Sequence, residues 1–321
     1  MSRRKWTVAI TSIIMIVISM LAYDARIKRK ECKETRQCVQ YLRAKEYLRN
    51  YKYVLNKPHA SGIPNTAYPD KIWIYWAEDS FEARHKLVRI CIDSIRKHCG
   101  GREIIFVTEK NYRQYVTLPP HIVEKYLNKK MKLQHFVDVI RVHLLRDHGG
   151  TWFDAATYIT ADIPKQIWDA EFVVGPSDKQ SSISVVFPTL QCKYATKQFN
   201  NGYMHASKPN NYFFNVLCDF YDEYWKNEDT AAHYFFVQIF AIIACEEDEK
   251  CRQIYEQSVA LCKKPFYTEA LNYVIKKRYD QELWEQMKAG GMINKLSLHL
   301  MGKCEFSSNT FGAMLVSGRL K

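Results

Sequence analysis

The sequence has few of the residues that break or staple a chain: 12 Gly and 10 Pro in 321 residues. That scarcity excludes a collagen-like repeat, and 47% apolar residues exclude an intrinsically disordered chain. No Gly/Ser/Pro-rich stretch, internal repeat or low-complexity tract divides the chain, so one large domain is favoured. None of the ten Cys forms a Cys-x-x-Cys pair, which argues against a zinc knuckle; the length argues against a disulfide-built miniprotein. No Asn-x-Ser/Thr sequon occurs, which disfavours a glycosylating lumen. Acidic residues are the minority, 34 against 47 Lys+Arg, and the net charge of +13 calls for an anionic partner without choosing nucleic acid, lipid or a phosphorylated small molecule.

Position narrows that choice. Much of the positive excess lies in residues 1 to 57, in runs such as Arg3-Arg4-Lys5 and Lys28-Arg29-Lys30, which bracket the one long apolar segment, Thr7 to Tyr23. That segment has no charged residue, is just long enough to span a bilayer as one helix, and ends in Tyr23-Asp24 without a small-x-small cleavage site. It reads as a transmembrane signal-anchor, giving residues 1–30 as tail and anchor, 31–67 as a helical stem, and 68–321 as the catalytic domain. The heavier basic flank, Arg26 to Arg36, places the large C-terminal part at the cytoplasmic face of a bacterial-type inner membrane. Cys32/Cys38, Cys91/Cys99 and Cys245/Cys251/Cys262 keep a second placement open, a type II Golgi protein with lumenal disulfides. A nucleic-acid partner is disfavoured, because the charge concentrates beside the anchor and no nucleic-acid motif occurs.

From Asp70 the chain reads strand, helix, strand: Lys71 to Trp76, Ala83 to Cys99 with an apolar stripe at Leu87, Val88, Cys91, Ile92 and Ile95, then Glu103 to Thr108. That order predicts a βαβ unit, a parallel sheet and an α/β fold. A further helix fits Leu133 to Asp147 and stops at Gly149-Gly150; short strands fit the run to Asp154 and Phe172 to Val174. Asn211 to Ala244 reads as aromatic helix, and Glu246 to Lys250 as a solvated acidic patch.

The chemistry concentrates between Asp138 and Asp154. Asp138 and Arg141 stand three apart on one helical face, and the Gly pair then turns the chain sharply into Trp152-Phe153-Asp154. A surface ion pair followed by a helix cap and a turn aspartate would use the same residues.

Ile72 to Trp76, the Asp138/Arg141 helix and Gly149-Gly150-x-Trp152-x-Asp154-Ala155 resemble the capsular polysaccharide synthesis proteins, glycosyltransferases related to the sugar-transferase group with a DXD motif. Asn201 to Pro209, His233 to Phe236 and Ile293 to Ser297 look similar too. The resemblance implies a GT-A-like, Rossmann-type nucleotide-sugar-binding fold, a nucleotide-sugar donor, and a glycan, polysaccharide or lipid-linked acceptor. It implies hexosyl transfer, with retention favoured over inversion. On this reading Trp76 stacks on the nucleobase, while Asp138 and Arg141 hold the donor sugar and phosphates. Asn201 approaches the sugar, Lys295 meets a phosphate, and His233 and Gln238 line the acceptor side. Asp154 matches the first Asp of DXD and is the expected ligand of a divalent cation, Mn or Mg. Ala155-Ala156 replace the second carboxylate, so another ligand must come from elsewhere, such as Asp162 or His299, or a Lys or Arg must take the metal's place. An inactive protein of the same fold, binding nucleotide-sugar or glycan, is the alternative the missing carboxylate leaves open.

Overall fold

The structure, a computed structural model, describes residues 36, 39–59, 70–77, 85–174, 199, 201–262, 267–302 and 304–320. The expected anchor, Thr7 to Tyr23, lies outside the described residues. Among those described, no helix is long and apolar enough to cross a membrane. The chain forms two compact units, Met1–Arg43 and Ala44–Lys321. In the first, the described residues are helical; the sheets and the cavity belong to the second.

β1 (Ile72–Tyr75) buries all four side chains, as a strand covered on both faces must. α1 (Lys86–His98) buries the predicted stripe, and its first turn is capped by the His85 ring accepting from Leu87 N. It leads into β2 (Ile104–Val107), which pairs parallel with β1, Ile72 opposite Ile104, so the βαβ unit is present. α2 (Pro120–Leu127) opens with Pro, and α3 (Leu133–His148) spans the predicted helix. β3 (Gly150–Phe153), β4 (Thr157–Ile159), a one-turn α4 (Lys165–Trp168) and β5 (Tyr203–Ala206) follow. After them come α5 (Tyr212–Asn227), α6 (Phe236–Glu247), α7 (Glu249–Leu261), β6 (Tyr267–Thr268), α8 (Ala270–Val274), α9 (Gln281–Gly290), β7 (Ile293–Lys295), α10 (Leu298–Met301) and α11 (Phe311–Val316).

The larger sheet has the order β2-β1-β3-β5, parallel except for β5. The smaller has the order β4-β7-β6, with β4 antiparallel and β6 parallel to β7. Ile72, Ile74 and Phe153 of the first, Ile159 and Ile293 of the second, and Val88 and Ile92 of α1 share one apolar core, which fixes the two sheets against each other.

Four expectations change. Phe172 to Val174 contributes only a bridge, Val173 to His205, at the β5 edge. Asn211 to Ala244 is two helices, separated at Glu228 to Phe235. Glu246 and Glu247 are not a free acidic patch: they meet Lys45, Arg49 and Lys52, and Asp248 caps α7 by accepting from Cys251 N at 2.6 Å. The carriers of those cations belong to the expected stem, whose 3-10 turn Arg49–Asn56 buries Tyr51 and Val54, the Tyr51 ring 5.1 Å from Tyr224. Cys91, Cys99, Cys218, Cys245, Cys251, Cys262 and Cys304 are buried and free, so the expected pairings among them do not form.

Candidate active site

α3 ends in a turn that only glycine can make. Gly149 and Gly150 have φ of +69° and +84°, and a Cβ on Gly150 would stand 2.4 Å from the Lys71 carbonyl oxygen. Trp73 Nε1 donates to Gly149 O at 3.0 Å and ties the turn to β1. The chain therefore passes from helix to strand without a loop, and Asp154, just past the end of β3, faces back toward Asp138 and Arg141.

Arg141 is the hub. Its Nη2 stands 3.1 Å from Asp138 Oδ1 and its Nη1 3.4 Å from Asp154 Oδ1, while Nη1 also donates to Asn201 O. The guanidinium lies over the Trp152 ring, 4.8 Å from its centroid. Asn201 Nδ2 donates to Asp138 Oδ1 at 3.1 Å, which closes the group; Asn201 stands just before β5. Asp154 accepts from Trp152 Nε1 at 3.1 Å and, through Oδ2, from Lys295 Nζ at 2.6 Å.

Lys295 reaches this place through the second sheet. It pairs with Thr157 across β7 and β4, Leu296 N donates to Ala156 O at 2.8 Å, and Asn272 Nδ2 donates to Lys295 O at 2.8 Å. Burial acting alone would raise the Asp154 carboxyl, but Lys295 and then Arg141 outweigh it and hold the group well below the usual carboxylate range. Burial likewise opposes the charge on Arg141, and Asp138 and Asp154 more than restore it. Asp154 and Arg141 thus each hold the other's charge against burial.

They form the floor of a cavity of about 580 Å³. Trp76, Asp138, Arg141, Asp154, Asn201 and Lys295, all expected from sequence, line it together, as does Gln238. Trp76 is half-buried beyond β1, and its Nε1 and the Tyr75 hydroxyl are buried without a hydrogen-bond partner. Three expected residues are elsewhere. His233 spends its Nδ1 on Phe235 N at 3.0 Å, Asp162 pairs with His98 at 2.6 Å, and His299 does not line the cavity. Sequence reasoning missed His135 and Tyr234, which do. His135 stands three residues before Asp138, and that spacing was a usable signal; nothing in the aromatic run His233 to Phe236 singles out Tyr234.

The side chains around Asp154 offer the expected divalent ion few oxygen ligands. Hard cations need several oxygens, whereas Asp154 is followed by two alanines and faces Lys295, Arg141 and an indole N–H. Among the described residues no group of three or more His, Cys, Asp or Glu is placed to hold a metal.

Comparison with curated protein sequences finds no match. Among solved structures, one titled PaToxG Glycosyltransferase is similar at 12% identity, covering 81% of this chain and 100% of that one, with a TM-score of 0.34. The family model described as "Capsular polysaccharide synthesis protein" matches residues 22–312, nearly the whole sequence, and the chain belongs to that family.

Proposed function

We propose that this protein is a membrane-anchored glycosyltransferase that moves a sugar from a nucleotide-sugar to a glycan, polysaccharide or lipid-linked acceptor. The observation that carries this reading is the Lys295-Asp154-Arg141-Asp138 group on the floor of a cavity whose β1 end offers Trp76. An aromatic face and the unpaired Trp76 N–H suit a nucleobase, and the two cations suit its diphosphate. Asp138 and Asn201 are placed to accept from and donate to sugar hydroxyls.

When the glycosidic bond breaks, charge develops on the departing diphosphate, and Lys295 and Arg141 stand ready to balance it without moving. Asp154 holds both cations in place. At an effective dielectric near 20, a cation about 4 Å from such a charge contributes roughly 4 kcal/mol, the scale needed from a leaving-group stabiliser. No step requires a divalent ion, so excess EDTA should leave the rate unchanged; abolished activity in chelator would return the metal to Asp154.

A screen of nucleotide-sugars for release of nucleotide, run on full-length protein in detergent, tests the reading. One donor should be consumed faster with acceptor present, and the anomeric signal of its product, by NMR, tests hexosyl transfer with retention. Binding of a donor with no turnover for any acceptor would favour the inactive binding protein, a reading the absent second carboxylate supports. Thr7 to Tyr23 is proposed as the anchor, and the seven buried free thiols and the basic flank support a cytoplasmic catalytic unit. Washing membranes with carbonate tests the anchor: release of the chain into the supernatant would remove it.

A further inference from the structure

The cavity is divided by charge. Its floor is ionic, but the wall where α3 and α6 begin is built from Leu133, His135, Tyr234, Phe235 and Gln238, with no Lys, Arg, Asp or Glu among them. Two atoms of that wall are unsatisfied. His135 and Gln238 are 6% and 7% exposed, yet His135 Nδ1 and Gln238 Oε1 have no hydrogen-bond partner. Asp138 Oδ2 stands 3.8 Å from that His135 nitrogen, beyond hydrogen-bond reach. Each such atom costs about 1–3 kcal/mol when left bare, so the fold retains them against a penalty that a ligand would relieve. Beside them Tyr234 is 65% exposed, the most exposed large apolar or aromatic side chain among the described residues. Its ring lies 6.3 Å from that of His135 and edge-on to Phe235 at 4.8 Å, so one face is free to receive a flat partner. Desolvation of its hydroxyl, followed by the charges of Asp138 and Asp154, raises the phenol, which puts the polar tip of Tyr234 near the ionic floor.

We infer that this wall is a saccharide subsite, in which a pyranose ring stacks on Tyr234 and its hydroxyls pair with Gln238 Oε1 and His135 Nδ1. The chemistry of the wall decides among ligand classes. A phosphate or carboxylate would find no cation on the wall itself and would meet Asp138 beside His135, and a purely apolar ligand would leave both buried atoms unpaired. A pyranose has an apolar C–H face for the tyrosine ring and hydroxyls at its edge for the two side chains. The inference rests on the glycosyltransferase reading only for the source of the ring, which is either the acceptor or the donor sugar.

Saturation-transfer NMR on the full chain in detergent tests it with methyl glucoside, galactoside, mannoside and N-acetylglucosaminide, each with and without UDP or GDP, beside titrations of UDP- and GDP-sugars. At least one glycoside, or one nucleotide-sugar over its bare nucleotide, should show a preference that Tyr234→Ala and Gln238→Leu each weaken about tenfold, while Tyr234→Phe and Tyr234→Trp retain it. Tyr234 is exposed, so its variants should fold, and an unchanged thermal midpoint checks that. A free glycoside that binds with UDP or GDP present assigns the ring to the acceptor. A preference confined to the intact nucleotide-sugar assigns it to the donor. Glycoside binding that Tyr234→Ala weakens, without any nucleotide binding, would uphold the subsite and overturn the nucleotide-sugar reading. If all four variants bind every probe as the parent does, or no sugar is preferred at all while nucleotide binds, the subsite does not exist.

Discussion

The molecule contains two groups of opposed charges, and their surroundings give them different meanings. Lys45, Arg49 and Lys52 meet Glu246 and Glu247 at a rim that opens to water on the Glu247 side, where Lys52 is more than half exposed, while the Lys45–Glu246 pair is part-buried. Asp138, Arg141, Asp154 and Lys295 carry the same kinds of charge, yet Asp138 and Arg141 are more than nine-tenths buried and all four line a cavity. At the outer rim, solvent competes for the Glu247 pairs and that part of the clasp is weak. In the cavity, desolvation is costly enough that any missing member leaves a charge uncompensated. Spacing in sequence does not separate the two, since Glu46/Arg49 and Asp138/Arg141 share the same i,i+3 offset. What separates them is the glycine turn that folds Asp154 back over α3.

The sharpest break in that comparison is Arg141→Ala. It leaves Asp138 and Asp154 buried without their shared partner and frees the Asn201 carbonyl, so stability should fall by about 3–5 kcal/mol. Urea unfolding of the variant measures it, and nucleotide release should be undetectable. The i,i+3 spacing by itself suggests that Asp138 and Arg141 could be removed with the fold intact; their burial overturns that. A loss below about 1 kcal/mol would show that the buried group behaves like the rim.

Lys295→Ala comes next. Its side chain reaches the cavity from the end of β7 and is part-exposed, and Asp154 keeps Arg141, so the loss should destabilise the fold less than Arg141→Ala does, whereas the leaving group should not tolerate it. We expect kcat to fall about 10²- to 10³-fold with the donor KM changed much less, because the charge Lys295 answers is greatest in the transition state. Equal losses in affinity and none in kcat would make Lys295 a simple binding group.

Much of this site is legible in the amino-acid sequence. The i,i+3 pair, the Gly-Gly stop and the aspartate beyond it specify a helix and a tight return, and both are present in the fold. The fit of Lys295 against Asp154 is not legible there, because it depends on β4 and β7, each three residues long, too short for a period-two pattern to declare itself. The same brevity reduces Phe172 to Val174 to one bridge. The stem charges mislead for another reason: composition records a helix of polar character, but Ala44, Leu48, Tyr51 and Val54 are buried at helical spacing, a stripe that a polar count averages away.

His205 sharpens the contrast from the opposite side, as a buried titratable group without a counter-charge. Its Nε2 faces Trp168 O at 3.0 Å, its Nδ1 faces Thr151 Oγ1 at 2.8 Å, and burial pushes the imidazole down to about 4. The folded value lies below the unfolded 6.5, so the unfolded chain binds the extra proton, and stability is lost as pH falls from about 6.5 to about 4, by up to roughly 3 kcal/mol. Asp154, held low by its cations, keeps its contribution above the unfolded carboxylate value near 3.9 and loses it only at lower pH. Thermal midpoints should therefore begin to drop between pH 6.5 and 4.5, and His205→Gln should flatten that segment. An unflattened slope would assign the acid sensitivity to another group.

The smallest effect is expected at the rim. Glu247→Gln removes contacts to Arg49 and Lys52 that sit largely in water and gain little over solvation, whereas Glu246→Gln opens the part-buried Lys45 pair as well as one to Arg49. Glu247→Gln should cost about 0.2–1 kcal/mol in urea unfolding, less in about 0.5 M than in about 0.05 M NaCl, since screening reaches exposed pairs first, and Glu246→Gln should cost more than Glu247→Gln. The buried Leu48, Tyr51 and Val54 would then account for most of the docking energy, and Val54→Ala should cost more than Glu247→Gln. If Glu247 proves worth more than the valine, and salt does not reduce its effect, then the rim is as dry as the cavity and the contrast between the two charge groups fails.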